Sequence, residues 1–158
     1  MKNANIGISE KNRQIITEQL SKILADEFVL YSKTLNAHWN IEGPDFHAVH
    51  LYLETLYNQQ QEIVDTVAER IRALGHYVPA ELNKYLALTH LSEKASNKND
   101  SQTLFAELLM DHESIIVFIR ENIKPIADKL KAEGISDYIT GLMERHEKTA
   151  WMLRAHLS

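Results

Sequence analysis

The segment between Pro44 and Gly75 limits the fold more than any other part of the chain, because residues 45–74 contain no glycine or proline. Apolar side chains recur there at steps of three and four residues, as they do on one face of an α-helix. Pro44 suits the first turn of a helix, and Gly75 suits a C-terminal cap. We therefore predict one long helix with the following apolar stripe: Phe46, Val49, Leu53, Tyr57, Val64, Val67, Ile71 and Leu74.

The same criteria predict three further long helices. The first spans residues 11–40, and the third begins near residue 100 and is kinked or ended by Pro125. Ser136 is predicted to cap the fourth. A short helix or turn is expected after Pro79, within the long connection between the second and third helices.

Four long helices with one long connection are typical of an all-α, ferritin-like four-helix bundle. A chain of 158 residues is long enough for one such core and too short for two. We expect residues 1–10 to form a flexible N-terminal tail and residues 11–158 to form the bundle domain.

Composition restricts the chemistry that the chain can perform. Because there is no cysteine, a transition metal would have to be held by the eight histidines and the 22 aspartates and glutamates. The net charge of −5 disfavours a dedicated nucleic-acid binder, since such proteins cluster Lys and Arg. We see neither a signal peptide nor a membrane span, so a cytoplasmic protein is the expectation.

Histidines and carboxylates concentrate in the stretch HWNIEGPDFHAVHLYLE, which runs from His38 to Glu54. From Thr34 to Glu69 the chain contains no Lys or Arg to balance its carboxylates. Imidazole and carboxylate ligands suit iron, manganese or zinc. A cation site is therefore one interpretation of this segment, and the polar face of an ordinary helix is the other.

The predicted second helix divides its candidate ligands into two pairs. His50 and Glu54 are four residues apart, as are Asp65 and Glu69, so each pair can close on one ion. Glu54 and Asp65 lie roughly 16 Å apart along a rigid helix, far beyond a metal bond of about 2 Å. A two-fold antiparallel contact between two copies would place residue 54 opposite residue 65. We therefore predict two half-sites per chain and at least a dimer.

Two motifs resemble the signatures of the miniferritins, the Dps family (DNA-binding proteins from starved cells). HWNIEGPDFHAVH supplies the first signature, and the second is an Asp-x-x-Ala-Glu-Arg pattern in VDTVAER. The resemblance extends over nearly the whole chain. The matching positions are His38, Trp39, Ile41, Gly43, Phe46 and His50, then Asp65, Ala68, Glu69 and Arg70.

The resemblance implies a ferroxidase centre shared between two subunits. One subunit would provide His38, His50 and Glu54, and its two-fold mate would provide Asp65 and Glu69. Many members of the family have Asp where this chain has Glu54. Iron would be the metal, with up to two ions per centre, and zinc is the alternative occupant. The family forms hollow dodecamers that oxidise Fe(II), preferably with hydrogen peroxide but also with oxygen, and store the ferric mineral.

Several other residues are candidates for auxiliary roles. Trp39 would intercept stray oxidising equivalents or simply pack, and His47 would be an outer ligand or an exposed residue. His112 and His146 lack an acidic residue three positions earlier, so we assign them core or surface roles instead of a second di-metal site. Acidic residues near the last turn are candidates for a cation entry pore or for helix capping: Asp128, Glu133 and Asp137.

Two rival functions remain open, and the first is a nucleoid-associated protein that protects DNA by binding it. Many members of the family condense DNA through a Lys-rich tail, but the N-terminal segment here offers only Lys2, Lys11 and Arg13. We therefore do not expect tail-mediated DNA binding. The second rival function is that of a zinc-binding or purely structural helical oligomer.

Overall fold

The computed structural model describes residues 4–130 and 132–158. Its long helices are α1 (Glu10–Asn40), α2 (Phe46–Ala73), α4 (Ser101–Phe118) and α6 (Glu133–His156). A short helix, α3 (Leu82–Leu88), lies in the connection between α2 and α4. A π-helical turn, Ile119–Ile123, continues α4 into α5 (Lys124–Lys129) without a break.

This architecture confirms the predicted all-α, ferritin-like bundle. The described residues contain no β-strand, and α3 is the short helix expected in the long connection. Two of the long helices begin at side-chain caps: for α1 the Ser9 side chain accepts a hydrogen bond from the amide of Asn12, and for α4 the Asp100 side chain accepts one from the amide of Thr103. Gly75 ends α2 with a φ of 89°, a conformation that favours glycine.

The apolar core lies between the four long helical segments. Its largest fully buried side chains include Leu20 and Leu24 from α1, Leu53 from α2, and Phe105 from α4. Leu153 near the end of α6 is also fully buried. The core therefore extends along the whole bundle and holds α1 and α2 side by side.

The core-facing side of α2 differs from the prediction. Tyr57 and Val64 are only half-buried, whereas Leu56, Gln60 and Ile63 are buried. The helix is therefore rotated from the orientation that apolar spacing alone suggests, and a polar residue lies on its core side. Gln60 is 3% exposed, and neither atom of its amide has a hydrogen-bond partner among the described residues.

The third long helix changes before Pro125: α4 ends at Phe118, a π-helical turn follows, and Pro125 occupies the first turn of α5, where its missing amide proton costs no helical hydrogen bond. The predicted start of the fourth helix was wrong. Ser136 lies inside α6, which begins at Glu133. Its hydroxyl donates to the carboxylate of Asp128 on α5 and so ties the two helices together instead of capping α6.

Residues 1–3, including Lys2, lie outside the described part of the chain, and the division into tail and bundle stays a prediction. Ile8 packs against the core, and its carbonyl accepts a hydrogen bond from the Arg13 guanidinium at 2.7 Å. No helix among the described residues has the length and apolar character needed to cross a membrane.

A chain of polar side chains crosses the interior of the bundle. Nε2 of His146 donates to the carboxylate of Glu27 at 2.7 Å, and the Nδ1 atoms of His146 and His112 share a hydrogen bond at 2.8 Å. All three residues are at most 3% exposed. Burial, followed by the proximity of His146, holds the pKa of His112 well below its usual value. The histidines therefore have the core role that the sequence suggested as one alternative.

The lowered pKa of His112 makes the fold sensitive to acid. Below a pH of about 6.5 the unfolded chain binds a proton at this position that the folded chain does not bind, so stability falls as pH falls. His112→Gln should reduce the loss of unfolding free energy between about pH 7.5 and pH 5.5 by up to about 1.4 kcal/mol. Urea unfolding at the two pH values measures this difference. Equal losses in wild type and variant would contradict the assignment.

Candidate metal centre

The end of α1 and the start of α2 hold His38 and His50 against each other. Nδ1 of His38 lies 3.0 Å from the carbonyl oxygen of His50, and Nδ1 of His50 lies 2.9 Å from the carbonyl oxygen of His38. The turn between the helices makes this approach possible, since Gly43 adopts a φ of 133° that side chains rarely permit. Two helices are thereby joined through a reciprocal pair of side-chain to backbone hydrogen bonds.

These hydrogen bonds determine which nitrogen of each ring is available to a ligand. A carbonyl oxygen only accepts, so Nδ1 must carry the proton and donate in both His38 and His50. In the neutral imidazole, Nε2 then keeps a free lone pair. A metal-binding histidine commonly donates its other ring N–H to a carbonyl or carboxylate, which sets the tautomer and the ring orientation. Both histidines already satisfy this condition.

Aromatic contacts further restrict the two rings. The imidazoles of His38 and His50 stack with centroids 3.8 Å apart, and Phe46 stacks on His50 at 5.1 Å. The rings of Tyr57 and His38 make an edge-to-face contact with centroids 5.0 Å apart. The two histidine rings are therefore held in place before a metal binds, which lowers the entropic cost of metal binding.

Glu54 lies one turn after His50 on α2 and is half-buried. Its Oε1 atom is 3.5 Å from the Tyr57 hydroxyl. Desolvation, followed by the negative charge of Glu54, raises the pKa of Tyr57 above its usual value. We refer to His38, His50 and Glu54 as the histidine half-site. Sequence reasoning missed Tyr57 as its neighbour, although a spacing of three residues from Glu54 was available as a signal.

The second pair of candidate ligands lies farther along α2. Asp65 and Glu69 are exposed, and we refer to them as the carboxylate half-site. Because α2 runs unbroken from Phe46 to Ala73, helical rise alone separates Glu54 from Asp65 by roughly 16 Å. An open groove lies on this face, lined by Asn58, Gln61, Glu62, Val64, Asp65 and Ala68.

A single chain does not bring the two half-sites together. Within the described residues, no group of three or more His, Asp or Glu side chains could hold a metal ion. Within residues 4–130 and 132–158, Glu54, Asp65 and Glu69 also form no ion pair. Arg70, next to Glu69, instead places its guanidinium 3.9 Å from the centre of the Tyr138 ring.

The auxiliary residues have different surroundings. Trp39 is 70% exposed, and His47 is exposed as well. Asp128 pairs with Lys124 at 2.7 Å, and the hydrogen bonds from Lys124 and then Ser136 lower the pKa of its carboxyl. Glu133 begins α6, and Asp137 is exposed on its first turns. None of these positions tests the predicted roles in interception, outer ligation or cation entry.

Comparisons with known proteins identify the family. The family model for the ferritin-like domain matches residues 17–158. An uncharacterised low-temperature-induced protein of Nostoc is 36% identical over 157 residues, covering 99% of this chain and 88% of the relative. DNA protection during starvation protein 2 of Bacillus anthracis is 35% identical over 147 residues, covering 93% of this chain and 99% of the relative.

Solved structures show the same fold. The Dps protein from Vibrio cholerae O1 superposes with a TM-score of 0.93 at 28% identity, covering 100% of this chain and 98% of that one. It is described as a member of a broad superfamily of ferritin-like diiron-carboxylate proteins. The family match, the relatives and the fold agree with the two sequence signatures. The chain belongs to the ferritin-like proteins and, among them, to the Dps miniferritin family.

Proposed function

We propose that the protein is a miniferritin that oxidises Fe(II) at centres shared between two subunits and stores the Fe(III) product in a hollow dodecamer. The observation that carries this proposal is the pair of hydrogen bonds from Nδ1 of His38 and of His50 to backbone carbonyls, which leaves the Nε2 lone pair of each ring free, with Glu54 one helical turn after His50. A ligand set of imidazole and carboxylate suits iron, and zinc is the ion that would compete for it.

A two-fold contact between copies of α2 would complete each centre. In the antiparallel pairing about residues 59 and 60, the histidine half-site of one chain faces the carboxylate half-site of its mate. Asn58 and Gln61 are exposed between the half-sites and can hydrogen-bond across such a contact. Among the described residues, no basic side chain forms an ion pair with Asp65 or Glu69. The metal would neutralise these two carboxylates.

Hydrogen peroxide is the oxidant that we propose for the reaction, with oxygen as the alternative. Two Fe(II) ions at one centre give two electrons to one peroxide, and with two protons the products are two waters and two Fe(III). Carboxylates stabilise the more highly charged product, whereas imidazoles retain affinity for Fe(II). Because each ion would have only a few protein ligands, coordination positions would remain open for the oxidant. Glu54 is longer than the Asp found in many members of the family, and its contact with Tyr57 restricts that extra length.

Large exposed apolar side chains support further assembly beyond the dimer. Tyr77, Leu82, Met110 and Trp151 are each at least 60% exposed in the isolated chain. Where exposed apolar side chains cluster, they mark surfaces that bury against other subunits. A dodecamer built from two-fold dimers would cover part of this surface and enclose the mineral.

Removal of the carboxylate half-site tests the ferroxidase. The double variant Asp65→Asn and Glu69→Gln should lose Fe(II) oxidation by peroxide, because neutral amides are weaker ligands for the ferric product. Stopped-flow absorbance of the ferric product measures the rate, and light scattering checks that the oligomer persists. Glu18→Gln with Glu144→Gln is the matched control, since it removes two exposed carboxylates elsewhere. An assembled double variant with wild-type kinetics would refute the site.

Protection of DNA by direct binding is the second candidate function, and the name of the Bacillus anthracis relative favours it. The net charge of −5 argues against it, because DNA affinity at moderate salt rests on clustered cations. We predict no retardation of supercoiled plasmid on an agarose gel at about 150 mM salt. Retardation at that salt concentration would establish a DNA-binding role that the charge distribution does not explain.

A further inference from the structure

An aromatic path begins at the histidine half-site and leads away from it through the bundle. Tyr57 contacts the His38 ring edge-on at 5.0 Å and also contacts Tyr31 edge-on at 6.5 Å. Tyr31 is followed by Phe28 at 6.3 Å, and Phe28 stacks on Tyr85 at 4.5 Å. Two phenols thus lie in consecutive ring contact, starting beside a proposed iron ligand.

We propose that Tyr57 donates one electron to the iron site when only one Fe(II) is bound, and that Tyr31 shares the resulting radical. This inference rests on the proposed ferroxidase function. It also moves a role predicted for Trp39 to a different residue. Trp39 is 70% exposed and takes no part in the ring contacts found among the described residues, whereas Tyr57 contacts both His38 and Glu54.

The chemical need arises from incomplete loading of a centre. Peroxide requires two electrons for cleavage of its O–O bond without release of a hydroxyl radical, and a single Fe(II) supplies only one. Tyr57 would supply the second electron together with its phenolic proton. The O–O bond then breaks to give one hydroxide and one water, iron becomes Fe(III), and Tyr57 becomes a neutral phenoxyl radical. Atoms and charge balance without another reactant.

The geometry also provides a route for the proton. Oε1 of Glu54 lies 3.5 Å from the Tyr57 hydroxyl and can pass the proton to the hydroxide that forms at the iron. Because electron and proton leave together, the half-buried ring of Tyr57 does not acquire a charge, which would be costly there. Contact with Tyr31 then moves the radical away from the iron ligands and lowers the chance that His38 is oxidised.

Rapid-freeze electron paramagnetic resonance is the direct test. The assembled protein is loaded with one Fe(II) per centre, mixed with peroxide and frozen within milliseconds. We expect a radical signal near the free-electron position that narrows when ring-deuterated tyrosine is incorporated, which distinguishes tyrosine from tryptophan. Tyr57→Phe, which keeps the ring and removes the hydroxyl, should abolish most of the signal. Tyr31→Phe should change its line shape or shorten its lifetime.

Tyr52→Phe is the matched control, because Tyr52 lies on the same helix but contacts Phe105 and His156 instead of the half-site. It should leave the signal unchanged. Spin trapping gives an independent readout, and Tyr57→Phe should release more hydroxyl radical at the same iron loading. Neither readout depends on the rate of turnover with a fully loaded centre.

The following outcomes would overturn the inference. If wild type oxidises Fe(II) but gives no tyrosyl signal, or gives the same signal in Tyr57→Phe, the electron does not come from Tyr57 and the ferroxidase stands. A signal that disappears only in Trp39→Phe would show that Trp39, and not Tyr57, donates the electron. If wild type oxidises no Fe(II) with peroxide, the proposed function fails and this inference fails with it.

Discussion

The rigidity of α2 is the constraint on which the rest of the site depends. A helix rises about 1.5 Å per residue, so ligands eleven positions apart cannot meet on one ion unless the helix breaks. The structure shows α2 unbroken from Phe46 to Ala73. His50 with Glu54 and Asp65 with Glu69 are therefore separate half-sites in one chain, and chemistry that needs all of them needs a second copy. In the proposed centre, assembly and catalysis are coupled, because the same helix face would provide both the contact and the ligands.

Hydrogen-bond partners distinguish the histidines that could bind a metal from those that stabilise the core. His38 and His50 each donate Nδ1–H to a backbone carbonyl, so each keeps a free Nε2 lone pair. His146 instead uses both nitrogens inside the bundle, one toward the carboxylate of Glu27 and one toward His112. One oxygen of the buried Glu27 carboxyl is thereby hydrogen-bonded, and Oε2 has no partner among the described residues. Residue type alone would not have separated these two groups, whereas the partners of each ring nitrogen do.

The long helices and their order could be predicted from the sequence, because apolar spacing and caps such as Asp100 and Gly75 are local signals. The predictions failed where the role of a residue is set by its packing against another helix. Ser136 looked like a cap but hydrogen-bonds to Asp128, and Gln60 lies on the core side of α2 although its type suggests solvent. Candidate ligands could be chosen from spacing and from the family resemblance. The hydrogen bonds of these ligands and the contacts of Tyr57 could not be predicted from the sequence, because they depend on the packing of α1 against α2.

Complementation between two inactive variants tests the shared centre most directly. One variant carries His50→Ala and Glu54→Gln, and the other carries Asp65→Asn and Glu69→Gln. Random pairing of equal amounts gives mixed dimers in half of the population, each with one intact centre out of two, so roughly a quarter of wild-type Fe(II) oxidation should return. Each variant assembled alone should stay inactive. A co-assembled mixture that remains inactive, despite mixed dimers being detected by mass spectrometry, would contradict a centre built from two chains.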